Sequence, residues 1–90
     1  MRCLWIKRRF LEAIKEGRKT LEIRAYPLRP GPYLLKAGPY TLRVRLGPPI
    51  QVPRGQIALY AEEACCSLKE LEAMVGSRAY YYVHPILEVG

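Results

Sequence analysis

The sequence predicts a small α+β domain, and three observations lead there. The run Tyr40-Thr41-Leu42-Arg43-Val44-Arg45-Leu46 alternates strictly between apolar and polar residues, the period-two signature of a strand with one buried face. Two other stretches carry helical signals: Phe10, Leu11 and Ile14 form a narrow i, i+1, i+4 stripe, and Ser67-Leu68-Lys69-Glu70 is a capping box. A chain of 90 residues is long enough for one domain, 1–90, with a thin core.

Taken in order, Arg2 to Ile6 reads as the first strand, with Leu4 and Ile6 on one face and Cys3 and Trp5 on the other. Arg8 to Glu16 follows as a helix without a good N-cap residue, and Gly17, free to take a left-handed conformation, ends it. From Thr20 the period changes to two, with Leu21 and Ile23 on one face and Thr20, Glu22 and Arg24 on the other. Ala25 to Pro32 holds three prolines and a glycine, which predicts a stiff extended loop. Tyr33 to Ala37 and Tyr40 to Leu46 are strands joined by a Gly38-Pro39 turn. Leu42, Val44 and Leu46 face inward, while Thr41, Arg43 and Arg45 face out. Two arginines on one face suit a phosphate backbone, but an edge strand guarded against aggregation presents the same pattern, and the guarded edge is the favoured reading.

Gly47 to Pro49 and Val52 to Gly55 read as turns, and Gln56 to Cys66 as the longest strand, with Ile57, Leu59 and Ala61 on one face and Ala58, Tyr60 and Glu62 on the other. Adjacent Glu62 and Glu63 would then point to opposite faces, one of them drawn inward toward a cation. A capped helix runs from Ser67 through Met74 and closes at Gly76. Ala79 to Val83 is the last strand, and Pro85 sets the following Ile86 to Val89 at a sheet edge or bulge.

Charge is uneven along the chain. Residues 1 to 54 carry thirteen Lys or Arg against three Glu, while residues 55 to 90 carry two against five, giving balances of +10 and −3 within a net +7. A basic half of this size implies a polyanionic partner; generic solubilising charge is the plainer account. No run approaches the ~20 apolar residues of a membrane span and no basic-then-apolar leader is present, so a cytoplasmic protein without membrane association is expected. Three cysteines without metal-ligand spacing predict small core residues, with neither disulfide nor metal. The absence of Asn and Asp, the excess of Arg over Lys and the many prolines hint at a thermophilic source.

The densest chemistry is Gly17-Arg18-Lys19-Thr20-Leu21-Glu22-Ile23-Arg24. A carboxylate and a guanidinium two residues apart on one strand face restrain each other and leave spare donors aimed outward, a site for an anion or a base edge; an ordinary solvated strand face is the alternative. Gly17, Lys19, Glu22 and Arg24 reproduce the GxKxxExR signature and so resemble the ASCH family of the PUA-like superfamily. Leu4-Trp5-Ile6-Lys7 is similar to that family's first strand, Phe10 to Ile14 to its short helix, and Pro53 to Leu59 to a glycine-led strand crossing its barrel. The match covers most of the chain, loosely beyond residue 37. It implies a small PUA-like mixed β-barrel with one or two short peripheral helices, a cleft lined by the signature residues, and a role in RNA or nucleotide chemistry without cofactor or metal. A residue at the place of Lys7 borders the cleft in that family; here a phosphate contact and a solvated strand end are both open.

Two functions fit Lys19, Glu22 and Arg24, with Tyr26, Tyr80, Tyr81 or Tyr82 as stacking neighbours. One is RNA or nucleotide binding, in which Lys7, Lys19 and Arg24 take phosphates, a tyrosine such as Tyr26 stacks a base and Glu22 orients Arg24. The other is hydrolysis of RNA or of a modified nucleoside, with Lys19 and Glu22 as catalytic groups. One branch of the resembled family comprises amidohydrolases of acetylated cytidine that use a lysine, a threonine and a glutamate. This chain has Glu22 where they carry threonine, and Thr20 is not the equivalent residue, so that activity is not expected. Glu22 and Arg24 are expected to line one concave pocket with Lys19 or Lys7 at its rim, and Lys19 to be replaceable by arginine if it only holds a phosphate. Whether it shares a face with Glu22 is open, because strand parity would turn it away unless the strand begins at Thr20 or a bulge intervenes. His84, the sole histidine, has no histidine partner and precedes a proline, which favours a structural role.

Overall fold

The alternating run at residues 40–46 forms a central strand, and the helical stripe packs against the sheet beside it. A computed structural model describing residues 1–90 gives, in order, β1 (Arg2–Trp5), α1 (Arg8–Lys15), β2 (Leu21–Arg24), β3 (Gly31–Ala37), β4 (Tyr40–Leu46) and β5 (Ile50–Pro53). A 3-10 helix (Arg54–Tyr60), α2 (Ala61–Ala64), α3 (Leu68–Val75) and β6 (Tyr80–Val89) complete the chain. The strand order is β1-β3-β4-β6-β2, with β5 added to β6. Only the β1–β3 pair is parallel. The ends of this order meet: Arg24 Nη2 on β2 donates to the Trp5 carbonyl at the end of β1, at 3.3 Å. The mixed sheet therefore curls into a half-barrel with a seam between β1 and β2, and the helices number three.

Two apolar clusters flank that seam. Leu11 and Ile14 of α1 pack on Tyr33, Leu35, Val44 and Leu46. Ile23, Val52, Tyr81 and Val83 form the second cluster with Ile57, Ala64, Leu71 and Val75 from the helical segments. Each large side chain buried this way contributes about 1.5–3 kcal/mol relative to exposure.

The region from 50 to 66 departs from the sequence reading. Gln56 to Ala64 is helical, because its buried or half-buried residues are Ile57, Tyr60, Ala61 and Ala64, a helical period in which Leu59 is exposed. Alanine and glutamate at 61–64 favour helix further. The strand expected across the barrel from Pro53 to Leu59 is accordingly absent, and Glu62 and Glu63 both face solvent. Val52 belongs to β5, which pairs with β6 alone. Cys3 is exposed and Cys65 and Cys66 are half-buried, not core.

Pro85 sits where β6 exchanges partners, with β5 pairing at residues 80–83 and β4 at 86–89 across a register shift. Gly47 donates to the Pro85 carbonyl at 2.8 Å, and a Cβ at Gly47 would come 2.8 Å from Pro85 Cγ, so only glycine fits there. No helix is long and apolar enough to cross a membrane.

Candidate functional site

The signature segment is placed by the end of α1. Gly17 takes φ +83°, its N–H donates to Ile14 O at 3.1 Å and the Arg18 N–H to Ala13 O at 2.9 Å, the two bonds of a Schellman motif. The chain then turns inward, fixed by the Lys19 N–H on Ala13 O and the Thr20 N–H on Glu63 O. β2 begins only at Leu21, so Lys19 lies outside the strand and its parity, and its side chain passes beneath Glu22.

There the three charged residues form one network. Lys19 Nζ donates to Ala64 O at 2.6 Å and lies 3.2 Å from Glu22 Oε1, with the Phe10 ring centre 4.8 Å away. Arg24 Nε donates to Glu22 Oε2 at 2.7 Å, and Nη2 is ion-paired with the same oxygen at 2.7 Å. Glu22 therefore bridges two cations, and no buried side-chain polar atom lacks a partner. Lys19 is 2% exposed, which puts it in the floor of the cleft, while Lys7 stands at the rim.

Above the floor opens a cleft of about 650 Å³ at the β1–β2 seam. Lys7, Lys19, Glu22, Arg24 and Tyr26 all line it, as do Trp5, Phe10, Cys66 and Glu70. Tyr80, Tyr81 and Tyr82 do not; the Tyr81 hydroxyl is buried toward Arg54 O, and burial pushes its pKa up. Lys7 Nζ is 3.7 Å from Glu70 Oε2 at the mouth, where Arg9 also contacts Glu70. Two aromatic rings stand exposed at the opening, Trp5 (67%) and Tyr26 (65%). The Arg78 guanidinium stacks on Tyr26, 4.6 Å from the ring centre, and donates to its hydroxyl.

His84 supports the site from behind. It is fully buried; Leu28 N–H donates to Nε2 at 2.9 Å, which leaves Nδ1–H to donate to Glu22 O at 3.0 Å. One neutral tautomer thus ties β6 to β2 and to the loop bearing Tyr26, and burial lowers the pKa of the ring. Cys66 Sγ lies 3.5 Å from Ala64 O, and burial pushes its thiol pKa up, an environment of low thiol reactivity.

Sequence reasoning missed Trp5, Phe10, Glu70 and Arg78. Trp5 carried a signal, a lone tryptophan on the outward face of the first strand. Arg78 carried none, since 52 residues separate it from Tyr26.

In fold the chain is similar to the crystal structure of ASCH from Zymomonas mobilis, with a TM-score of 0.82, 17% identity, and coverage of 96% of this chain and 66% of that one. Structures of two single-residue mutants of that protein give TM-scores of 0.81 and 0.82 at 17% and 18% identity, covering 96% of this chain and 68% and 66% of theirs. The chain thus spans about two thirds of the length of these proteins. At such identity the likeness shows the fold. No protein-family model and no curated protein matches the sequence.

Proposed function

We propose that the chain is an ASCH-type domain that binds RNA or a nucleotide in the β1–β2 cleft. The observation that carries this reading is the Glu22-bridged pair of cations beneath an opening flanked by two exposed aromatic rings. Glu22 holds Arg24 through Nε and Nη2 and leaves Nη1 without a protein acceptor, a fixed donor for a phosphate or a base edge. Trp5 and Tyr26 offer faces on which a base stacks, for about 1–3 kcal/mol each. The cleft volume falls within the ordinary range of small-ligand sites.

A hydrolase using Lys19 and Glu22 receives less support. Lys19 is held by a hydrogen bond to Ala64 O, an ion pair with Glu22 and the Phe10 face, and Glu22 is ion-paired with both Lys19 and Arg24, contacts that keep Lys19 charged and serve the architecture of the floor.

Trp5 is the sole tryptophan and reports binding by fluorescence. Titration with nucleoside monophosphates and with RNA is expected to quench it. Arg24→Ala is expected to weaken binding by about 1.5–3 kcal/mol, and Lys15→Ala, on the exposed far end of α1, by much less. Equal losses from the two would reduce the interaction to diffuse charge attraction and end the cleft assignment. Arg78 is unsuited as the control because it positions Tyr26.

A further inference from the structure

The guarded-edge account of Arg43 and Arg45 fails on the topology, because β3 pairs with the whole of β4 and the end of the chain covers its other side from Arg43 onward: β6 pairs with Val44 to Leu46, and the Gly90 N–H donates to the Arg43 carbonyl at 2.9 Å. Both arginines project from the outer face of the sheet, opposite Leu42, Val44 and Leu46. The register sets Lys36 beside Trp5 on that same face and Arg43 and Arg45 on the adjoining strand. Lys36 Nζ lies 5.7 Å from the Trp5 ring centre. Lys36 and Arg43 have no carboxylate partner, and Glu88 meets Arg45 loosely, at 3.8 Å. Cations gathered on a central strand without an edge to protect repel one another, a cost that a polyanion laid across them removes. Trp5 is the corner between the two regions: its ring belongs to the outer face, it lines the cleft, and its carbonyl accepts from Arg24.

We infer that the row Trp5–Lys36–Arg43–Arg45 carries the backbone of a single-stranded RNA whose adjacent nucleotide occupies the cleft, so that the ligand is a strand and not an isolated nucleotide. This rests on the nucleotide-binding reading of the cleft. Arg43 and Arg45, two residues apart on one face, stand roughly 7 Å from each other along the strand, placed to meet successive phosphates in turn. An acidic polypeptide satisfies the same charges but has no base to stack on Trp5, and RNA accounts for both features.

The test titrates wild type, Arg24→Ala and the double variant Arg43→Ala/Arg45→Ala with a single-stranded oligoribonucleotide of roughly ten nucleotides over a range of salt. A polyglutamate of matched charge serves as competitor, and melting curves verify each fold. The double variant is expected to lose roughly tenfold in affinity and about 1.4 from the log–log salt slope, two phosphates at ~0.7 each, and Arg24→Ala is expected to lose affinity as well. Loss in Arg24→Ala alone would overturn the track and leave the cleft standing. Loss in the double variant alone would keep a basic strand-binding face and end the cleft reading. No loss in either ends both, and polyglutamate competing as well as RNA would make the face one for acidic polypeptides.

Discussion

Lys19 and Lys7 line the same cleft and differ in every other respect. Lys19 is buried, held by Ala64 O, Glu22 and the Phe10 ring. Lys7 is 67% exposed, 3.7 Å from a carboxylate that Arg9 already contacts. Buried charges are kept only where partners replace the water they lose, so the floor has to be over-determined and its groups are architecture. Their product is the fixed direction of Arg24. Exposed charges at the rim hold no fixed geometry and lose little if moved, so on the binding reading proposed above the rim is where recognition varies at small structural cost. If this contrast is right, floor substitutions change stability first and rim substitutions change binding first.

The largest effect is expected from Glu22→Ala. It leaves Lys19 and Arg24 side by side without the carboxylate between them, and breaking such a buried network costs about 3–5 kcal/mol. Urea unfolding measures it. A loss below about 1 kcal/mol, with RNA affinity abolished, would make Glu22 a recognition group and dissolve the contrast between floor and rim.

A smaller effect concerns His84, part of the floor through Glu22 O and of the rim through Leu28. Burial holds its folded-state pKa below the ordinary 6.5, against smaller raising contributions from Glu22 and with a lowering one from Arg24. The unfolded chain therefore binds the proton more readily. Stability from this residue is complete above pH 6.5 and falls as pH drops from there toward the folded value, by at most about 1.4 kcal/mol per unit. Protonation also removes the acceptor at Nε2, so the Leu28 N–H loses its partner and the loop carrying Tyr26 loosens. Unfolding midpoints measured at about pH 7.5 and about pH 5.5 check this, with His84→Gln as the variant expected to flatten the slope. An equal slope in wild type and variant would show that the ring does not titrate with folding.

What the sequence disclosed follows the same division. Strand and helix periods placed β4 and α1 closely, and a serine and glutamate three apart revealed the capping box of α3, observed through Ser67 Oγ and Glu70. These signals are local, so a single chain displays them. Residues 56–66 misled because two periods coexist there: Ile57, Leu59 and Ala61 satisfy a strand while Ile57, Tyr60, Ala61 and Ala64 satisfy a helix, and only packing against β6 and α3 decides. β5 was hidden by its flanking prolines, which an edge strand tolerates. At the site, the spacing of Lys19, Glu22 and Arg24 was legible, but the depth of Lys19 was not, because it depends on the Schellman turn and on Ala64 O from a segment read as a strand. The covering of β4 from Arg43 to Leu46 by β6 and Gly90, which changes the meaning of Arg43 and Arg45, is likewise a long-range fact.

The smallest structural effect is expected from Lys7→Ala, and it bears most directly on the rim. Removing this side chain leaves Glu70 with Arg9 and exposes no buried group, so stability should stay within about 0.5 kcal/mol of wild type. If Lys7 meets a phosphate of the bound strand, the variant nonetheless loses about 0.7 from the log–log salt slope and a few-fold in affinity at low salt, the two values converging as salt rises. The measurement is a Trp5 fluorescence titration of both proteins at several salt concentrations, beside their urea curves. An unchanged slope would remove Lys7 from the interface while leaving Arg24 in it. A stability loss approaching that of Glu22→Ala would place Lys7 with the floor, and the division between the two lysines would then have no physical basis.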